Sequence, residues 1–303
     1  MRTTLTIAAL LTCLFGFSQI EGILVHSETK DPIPYVNICV EGEEIGTTSD
    51  KAGRYQLNID GAQILVFSAV GFVTKRISSD SLTGRLVLKP SIIQINTVVV
   101  KPTDNPEHRV VGEIKKSAPK KFFSTRKKPW ILARYFEYSE VYRQTPYLQQ
   151  IRLVTRCEIK NAKFNIRLYR VNEDGTPGEY LFDQNIFGYA RKGKRYTEID
   201  ISELRIPFPT EGLFVGVESL IIESNARRYT VDRQIYGEEI ITKDVEIVEH
   251  EPSFAQLPPE SEDYLWMFLQ GKWRSIEKEK SQIKKGFEHL GRAPAIELTL
   301  TDQ

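Results

Sequence analysis

Sulfur and histidine are scarce in this chain: its 303 residues include 2 Met, 3 Cys and 4 His. Three cysteines cannot staple a small disulfide scaffold. None of His26, His108, His250 and His289 opens a His-x-x-Glu pair, so the ligand spacing of a zinc peptidase is missing. An excess of either charge is missing too, with 41 Lys+Arg against 40 Asp+Glu. A dedicated nucleic-acid binder needs a basic surplus on at least one domain, and the composition calls for none. No Gly-rich phosphate loop or dinucleotide fingerprint occurs. Ser68-Ala69-Val70-Gly71 is not the Gly-x-Ser-x-Gly of a nucleophile elbow. Enzyme readings therefore lack a residue to rest on, and no cofactor is called for.

What is present is a globular composition, 41% hydrophobic, in a chain long enough for two modest cores. Met1-Arg2 followed by the 13 uncharged residues Leu5 to Phe17 reads as a secretory signal peptide over residues 1–18. The run is too short to span a bilayer, and cleavage after Ser18 fits the small-x-small pattern of Gly16 and Ser18. Lipidation at Cys13 is the rival reading, opposed by Thr12 and by the apolar residues that follow. No later run reaches ~18 apolar residues, so no transmembrane span is expected in the mature chain. Export removes Arg2 and no acid, leaving forty charges of each sign. Cys39 and Cys157 then remain, expected as two separate buried thiols.

From residue 19 to 100 short β-rich runs alternate with turns: Ile20–Val25, Ile33–Val40, Gly53–Ile59, Gln63–Ser68, Phe72–Ile77 and Arg85–Leu88. Val36, Ile38 and Val40 alternate with Asn37, Cys39 and Glu41, which predicts one core face and one polar face. Asp50 with Gly53 reads as a turn rather than a cation loop. The spacing predicts a sandwich of about seven strands.

Three motifs carry a resemblance: Pro32-Ile33-Pro34-Tyr35-Val36-Asn37-Ile38, then Gly46-Thr47-Thr48-Ser49-Asp50-Lys51-Ala52-Gly53-Arg54-Tyr55, then Phe67-Ser68-Ala69-Val70-Gly71-Phe72. In this order they resemble the carboxypeptidase-like regulatory domain. The resemblance implies a transthyretin-like sandwich without a zinc site, of a kind common in gram-negative envelope proteins and in the N-terminal extensions of TonB-dependent receptors.

Residues 101–129 lose periodicity and gain four prolines, reading as a basic linker. Candidate anion contacts here are Lys115, Lys116, Lys120, Lys121, Arg126, Lys127 and Lys128. Between Gly237 and Asp263 stand nine acids and one base, Lys243. The two stretches are expected to attract and to fix the domains relative to each other.

Residues 130–303 return to strand signals: Trp130–Tyr138, Tyr147–Thr155, Phe164–Arg170, Thr197–Ile201, Leu213–Val217, Leu220–Ile222 and a closing Ala295–Thr301. Asn165, Arg167 and Tyr169 alternate with Phe164, Ile166 and Leu168. A larger jelly-roll-like sandwich is expected, with a short amphipathic helix over 275–290. The fold class is therefore all-β, two sandwiches in series.

Acidic pairs such as Glu238-Glu239 or Glu260 with Glu262 have the residue types of a glycosidase but read as solvated loops. Trp130, Tyr264, Trp266 and Trp273 are candidate sugar-stacking residues, set against burial in a core. The reading is a non-catalytic, exported protein of the periplasm or outer membrane that acts by binding or assembly. Its partner is an envelope protein or a glycan. A carbohydrate-binding module is the alternative.

Overall fold

The computed structural model describes residues 18–91, 106–114, 121–126, 128–234, 241–259, 261–276 and 292–303. The expected signal segment up to Phe17 and nearly all of the expected helix at 275–290 lie outside the described residues. Among those described, the chain is all-β, with strands joined by loops and 3-10 turns.

The first unit contains β1 (Ser18–His26), β2 (Asn37–Val40), β3 (Gly46–Thr48), β4 (Arg54–Ile59), β5 (Ile64–Ser68), β6 (Lys75–Ser78) and β7 (Arg85–Leu88). They form a three-stranded sheet, β4-β1-β7, facing a four-stranded sheet, β3-β2-β5-β6. Leu24, Val36, Ile38, Val40, Leu57, Leu65, Phe67 and Leu88 fill the space between them. Burial along β4 alternates strictly, as a strand with one wet face requires. The expected strand at 33–40 begins only at Asn37, because Pro34 lacks a donor and Tyr35 turns left-handed (φ 57°). The run expected from Phe72 starts at Lys75, after Gly71 (φ 78°). Asp50 makes the predicted turn, its Oδ1 accepting the N–H groups of Ala52 and Arg54 at 2.8 Å each.

The second unit contains β8 (His108–Val111), β9 (Phe122–Thr125), β10 (Ile131–Phe136), β11 (Tyr147–Cys157), β12 (Ala162–Val171), β13 (Pro177–Tyr180), β14 (Ile186–Ala190), β15 (Gly193–Asp200), β16 (Leu213–Ser219), β17 (Ala226–Gln234), β18 (Ile241–Ala255), β19 (Trp266–Leu269), β20 (Lys272–Ser275) and β21 (Ile296–Thr301). One seven-stranded sheet runs β13-β12-β16-β10-β19-β20, with β14 also on β12. The other runs β17-β18-β11-β21-β8, with β15 on β11 and β9 on β18. Leu132, Ile151, Phe164, Ile166, Val215, Phe254 and Leu298 lie in the core between them.

Two pieces of the stretch read as a linker are strands of this sheet. β8 pairs with β21, and β9 with β18. Charge drew attention there, but Phe123 is buried and Thr125 faces inward, so a short apolar alternation outweighs the lysines around it. Leu220–Ile222, expected as a strand, is a loop. Asn225 pins it by donating to the carbonyls of Leu220 (3.2 Å) and Lys163 (2.6 Å).

The two sandwiches stack face to face. The outward face of β2 and β5, with Asn37, Cys39, Val66 and Ser68, lies against the outward face of β12 and β16. Both faces read as polar in sequence, and both are buried.

Candidate functional site

The seam between the sandwiches is built from outward residues of central strands. On β12 and β16, Arg167 pairs in register with Gly216 and Asn165 with Glu218. Gly216 leaves room beside the Arg167 carbonyl, and the guanidinium reaches Glu218. Arg167 Nε donates to Glu218 Oε2 at 2.7 Å, and Nη2 lies 2.6 Å from the same oxygen. From the first unit, Asn37 Nδ2 donates to Glu218 Oε1 (3.0 Å) and to the carbonyl of Pro129 (3.1 Å). Arg167 Nη1 donates to the Tyr180 hydroxyl at 2.8 Å, and that hydroxyl lies 3.1 Å from Ser68 Oγ. One unbroken polar chain thus crosses the seam twice.

Burial opposes the charge of Arg167, but the field of Glu218, with smaller contributions from Tyr180 and Tyr169, holds the guanidinium above its usual pKa. Neither side chain of this ion pair has any exposed surface. Desolvation, followed by the charge of Tyr180, raises the Tyr169 phenol well above normal. Burial pushes the Cys39 thiol up to about 11 against a small opposing effect of the Gly271 amide. Cys157 is raised too, chiefly by burial, and both cysteines are free. Neither is an activated nucleophile.

Around this chain the contact is close. Ile221 N–H donates to Thr48 Oγ1 (3.0 Å), Lys163 Nζ to the Tyr35 hydroxyl (3.1 Å), and Arg76 Nη2 to the Gly271 carbonyl (3.1 Å). Gly71 permits a contact that a side chain would block, since a Cβ there would sit 2.4 Å from the Asp183 carbonyl oxygen. At this edge of the seam opens a cleft of about 320 Å³, whose walls include His26, Asp31, Phe72, Asp183 and Asn185. His26 Nδ1 accepts the backbone N–H groups of Glu28 (3.1 Å) and Thr29 (3.3 Å).

The residues singled out from sequence are placed elsewhere. Trp130 is buried in the second core, edge-on to Phe123. Trp266 is edge-on to Phe214, and Trp273 to Tyr169 and Phe268. Both are half-buried in a small aromatic cluster on the outer face of their sheet. Tyr264 is half-buried too, its ring under the Arg292 guanidinium at 4.8 Å. Trp266 and Phe268 share a face of β19, while Met267 and Leu269 enter the core.

Of the basic residues, Lys115, Lys116, Lys120 and Lys127 lie outside the described residues. Lys121 is exposed, Arg126 is 3.9 Å from Glu249, and Lys128 pairs with Glu44 of the first unit. The expected attraction between basic and acidic stretches thus reaches one described pair, Arg126 with Glu249, and that pair lies within the second unit. Glu238, Glu239 and Glu260 also lie outside the described residues. No group of three or more His, Cys, Asp or Glu placed to hold a metal ion occurs among the described residues.

Sequence reasoning missed Asn37, Glu218, Arg167 and Tyr180. The available signal was the pairing of Asn, Arg and Glu on central strands whose other faces were already full.

Comparison with known proteins bears on the first unit. Residues 20–100 match the family model of the CarboxypepD_reg-like domain. A TonB-dependent receptor P3 of Formosa agariphila is 36% identical over 84 residues, 27% of this chain and 8% of the receptor. Among solved structures, the cysteine protease and lectin-like domains of Cwp84, a surface layer associated protein of Clostridium difficile, align with a TM-score of 0.39. That alignment has 12% identity over 67% of this chain and 37% of that one. A structure of infectious bursal disease virus, Gx strain, aligns at 0.24 with 10% identity, over 88% of this chain and 60% of that one. Neither score is high enough to bear on fold or function here. By the family model, residues 20–100 of this chain are a CarboxypepD_reg-like domain.

Proposed function

We propose that this protein is a non-catalytic component of the bacterial envelope, exported to the periplasm or the outer membrane, which acts by binding or assembly. The observation that carries the reading is the CarboxypepD_reg-like domain over residues 20–100, alongside the 36% identity of an 84-residue stretch of this chain to a TonB-dependent receptor. The seam supports it. The domain is locked to a second sandwich by a buried ion pair, so both units offer their remaining surfaces as one body. That suits a scaffold or adaptor, which gains affinity when its binding surfaces are held in fixed relation. The aromatic residues that favoured a sugar-stacking module are engaged with neighbouring rings or with Arg292, so they support that alternative less.

Envelope fractionation with in-cell crosslinking tests the reading. The expected result is recovery of the mature chain, lacking its first 18 residues, in an envelope fraction and crosslinked to a discrete partner. Recovery in the cytoplasm with an intact N-terminus would overturn it.

A further inference from the structure

Where β11 meets β15, Arg156 stands directly opposite Lys194, and Arg195 opposite Thr155. Like charges directly opposed in an antiparallel pair destabilise a sheet. Four pairs along, the same strands set Arg152 opposite Glu198, so elsewhere on this ladder opposite charges face each other. Both cations lie over one ring, with Phe122 4.6 Å from Arg156 Cζ and 5.6 Å from Lys194 Nζ. The ring attracts both cations through its face.

The turn from β14 into β15 adds Arg191 and Lys192. Arg195 is held at this corner by its Nε, which donates to the Lys192 carbonyl at 2.9 Å. All five cations are exposed, and no acid occurs between Ile186 and Thr197. Among the described residues, Arg156, Arg191, Lys192 and Arg195 make no ion pair. Glu158, the nearest acid on the β11 side, lies beyond the end of that strand. Two residues along β15 from Lys194, and so on its face, is Tyr196, 49% exposed with Arg152 against its ring at 4.8 Å.

We propose that this corner of the second sandwich binds a polyanionic polysaccharide, an extended chain bearing carboxylate or sulfate groups. The cations on the corner and on the end of β11 match a polymer better than a single anion, and the open side of Tyr196 offers a sugar ring a stacking surface. The exposed large hydrophobic residues at this corner are Tyr189 and Tyr196, 51% and 49% exposed, rings suited to stacking on a sugar, with no exposed aliphatic side chain among the described residues there to enter a lipid surface. The inference rests on charge geometry and goes beyond the envelope reading, whose crosslinking test it does not touch.

The test titrates the full chain with polygalacturonate, with neutral dextran of matched length, with phosphatidylglycerol vesicles and with a single-stranded oligonucleotide. Saturable binding to polygalacturonate is expected, weakening steeply with salt and absent with dextran. The double variant Arg156→Gln/Lys194→Gln should lose about tenfold or more in affinity. Arg191→Gln/Lys192→Gln, at an exposed turn with no fold to disturb, should also weaken binding. The proposal is overturned by absence of binding at low salt, by undiminished binding in both double variants, or by tighter binding to the vesicles or the oligonucleotide. A lower melting temperature in the Arg191/Lys192 variant would also overturn it, since those cations would then serve the fold.

Discussion

Arg167 Nη2 lies 2.6 Å from Glu218 Oε2, and neither side chain has any exposed surface. An ion pair taken fully out of water contributes little net stability as a pair, but removing one member strands the other. Glu218→Gln should therefore cost about 3–5 kcal/mol in chemical denaturation. Replacing both residues together, as Arg167→Met/Glu218→Leu, should cost far less than the single change, because no charge is then left unpaired. A single variant as stable as the parent would mean that water reaches Arg167.

The same pair shows where the sequence was legible and where it was not. Alternation correctly assigned Ile38, Val40, Ile166 and Leu168 to cores, because period-2 burial is a local property of each strand. It placed Asn37 and Arg167 on the faces turned away from those cores, but nothing in one strand reports that a second sandwich covers its outer face. β17 and β18 went unread for a related reason. Their pairing is held partly by Arg227 with Glu249 and Glu251 across the ribbon, at 3.8 and 3.9 Å, and charged alternation carries no hydrophobic signal. The large aromatics were noticed for their chemistry, whereas tertiary packing decided their place.

Gly71 offers a way to disturb the seam from its edge. Gly71→Ala must place a methyl group 2.4 Å from the Asp183 carbonyl oxygen while keeping a φ of 78°. Gly175 has nearly the same φ, 76°, with nothing within 4 Å of the position its Cβ would take. Both substitutions should carry the left-handed backbone cost of about 1–2 kcal/mol. Only Gly71→Ala should add an overpacking cost of about 1–3 kcal/mol, read as the difference between the two unfolding free energies. Equal costs would show that the 69–72 turn moves freely off the second unit.

Cys39 sets an alkaline limit. Burial raises its thiol pKa from the ordinary 9.0 to about 11, so the folded state keeps the proton that the unfolded state releases. The resulting stability is fully present below pH 9.0 and is lost as pH climbs towards about 11. At the upper end the loss is on the order of 2–3 kcal/mol. Cys39→Ala should flatten the pH dependence of unfolding across that window by one proton. Alkylation should be slow in the native parent at pH 8 and fast once it is unfolded. Rapid labelling of the native thiol at pH 8 would refute this account of its burial.

The balance of opposite charges suggested that a basic stretch and an acidic stretch hold the domains together, which would make their arrangement sensitive to salt. The described geometry predicts the opposite. Arg126 and Glu249 lie 3.9 Å apart with 62% and 23% of their side chains exposed, and both belong to the second unit. Lys128 and Glu44 do bridge the units, at 35% and 34% exposure, but pairs that wet are worth at most about 1 kcal/mol and weaken further in salt. Asn37, Arg167 and Glu218 are buried where mobile ions cannot follow. Small-angle scattering should thus give the same interdomain distance distribution at low and high salt. Adding Glu218→Gln should broaden it, since the charge that holds Asn37 and Arg167 in one chain is gone. A distribution that widens with salt in the parent protein would return the joint to its surface charges and take it away from the seam.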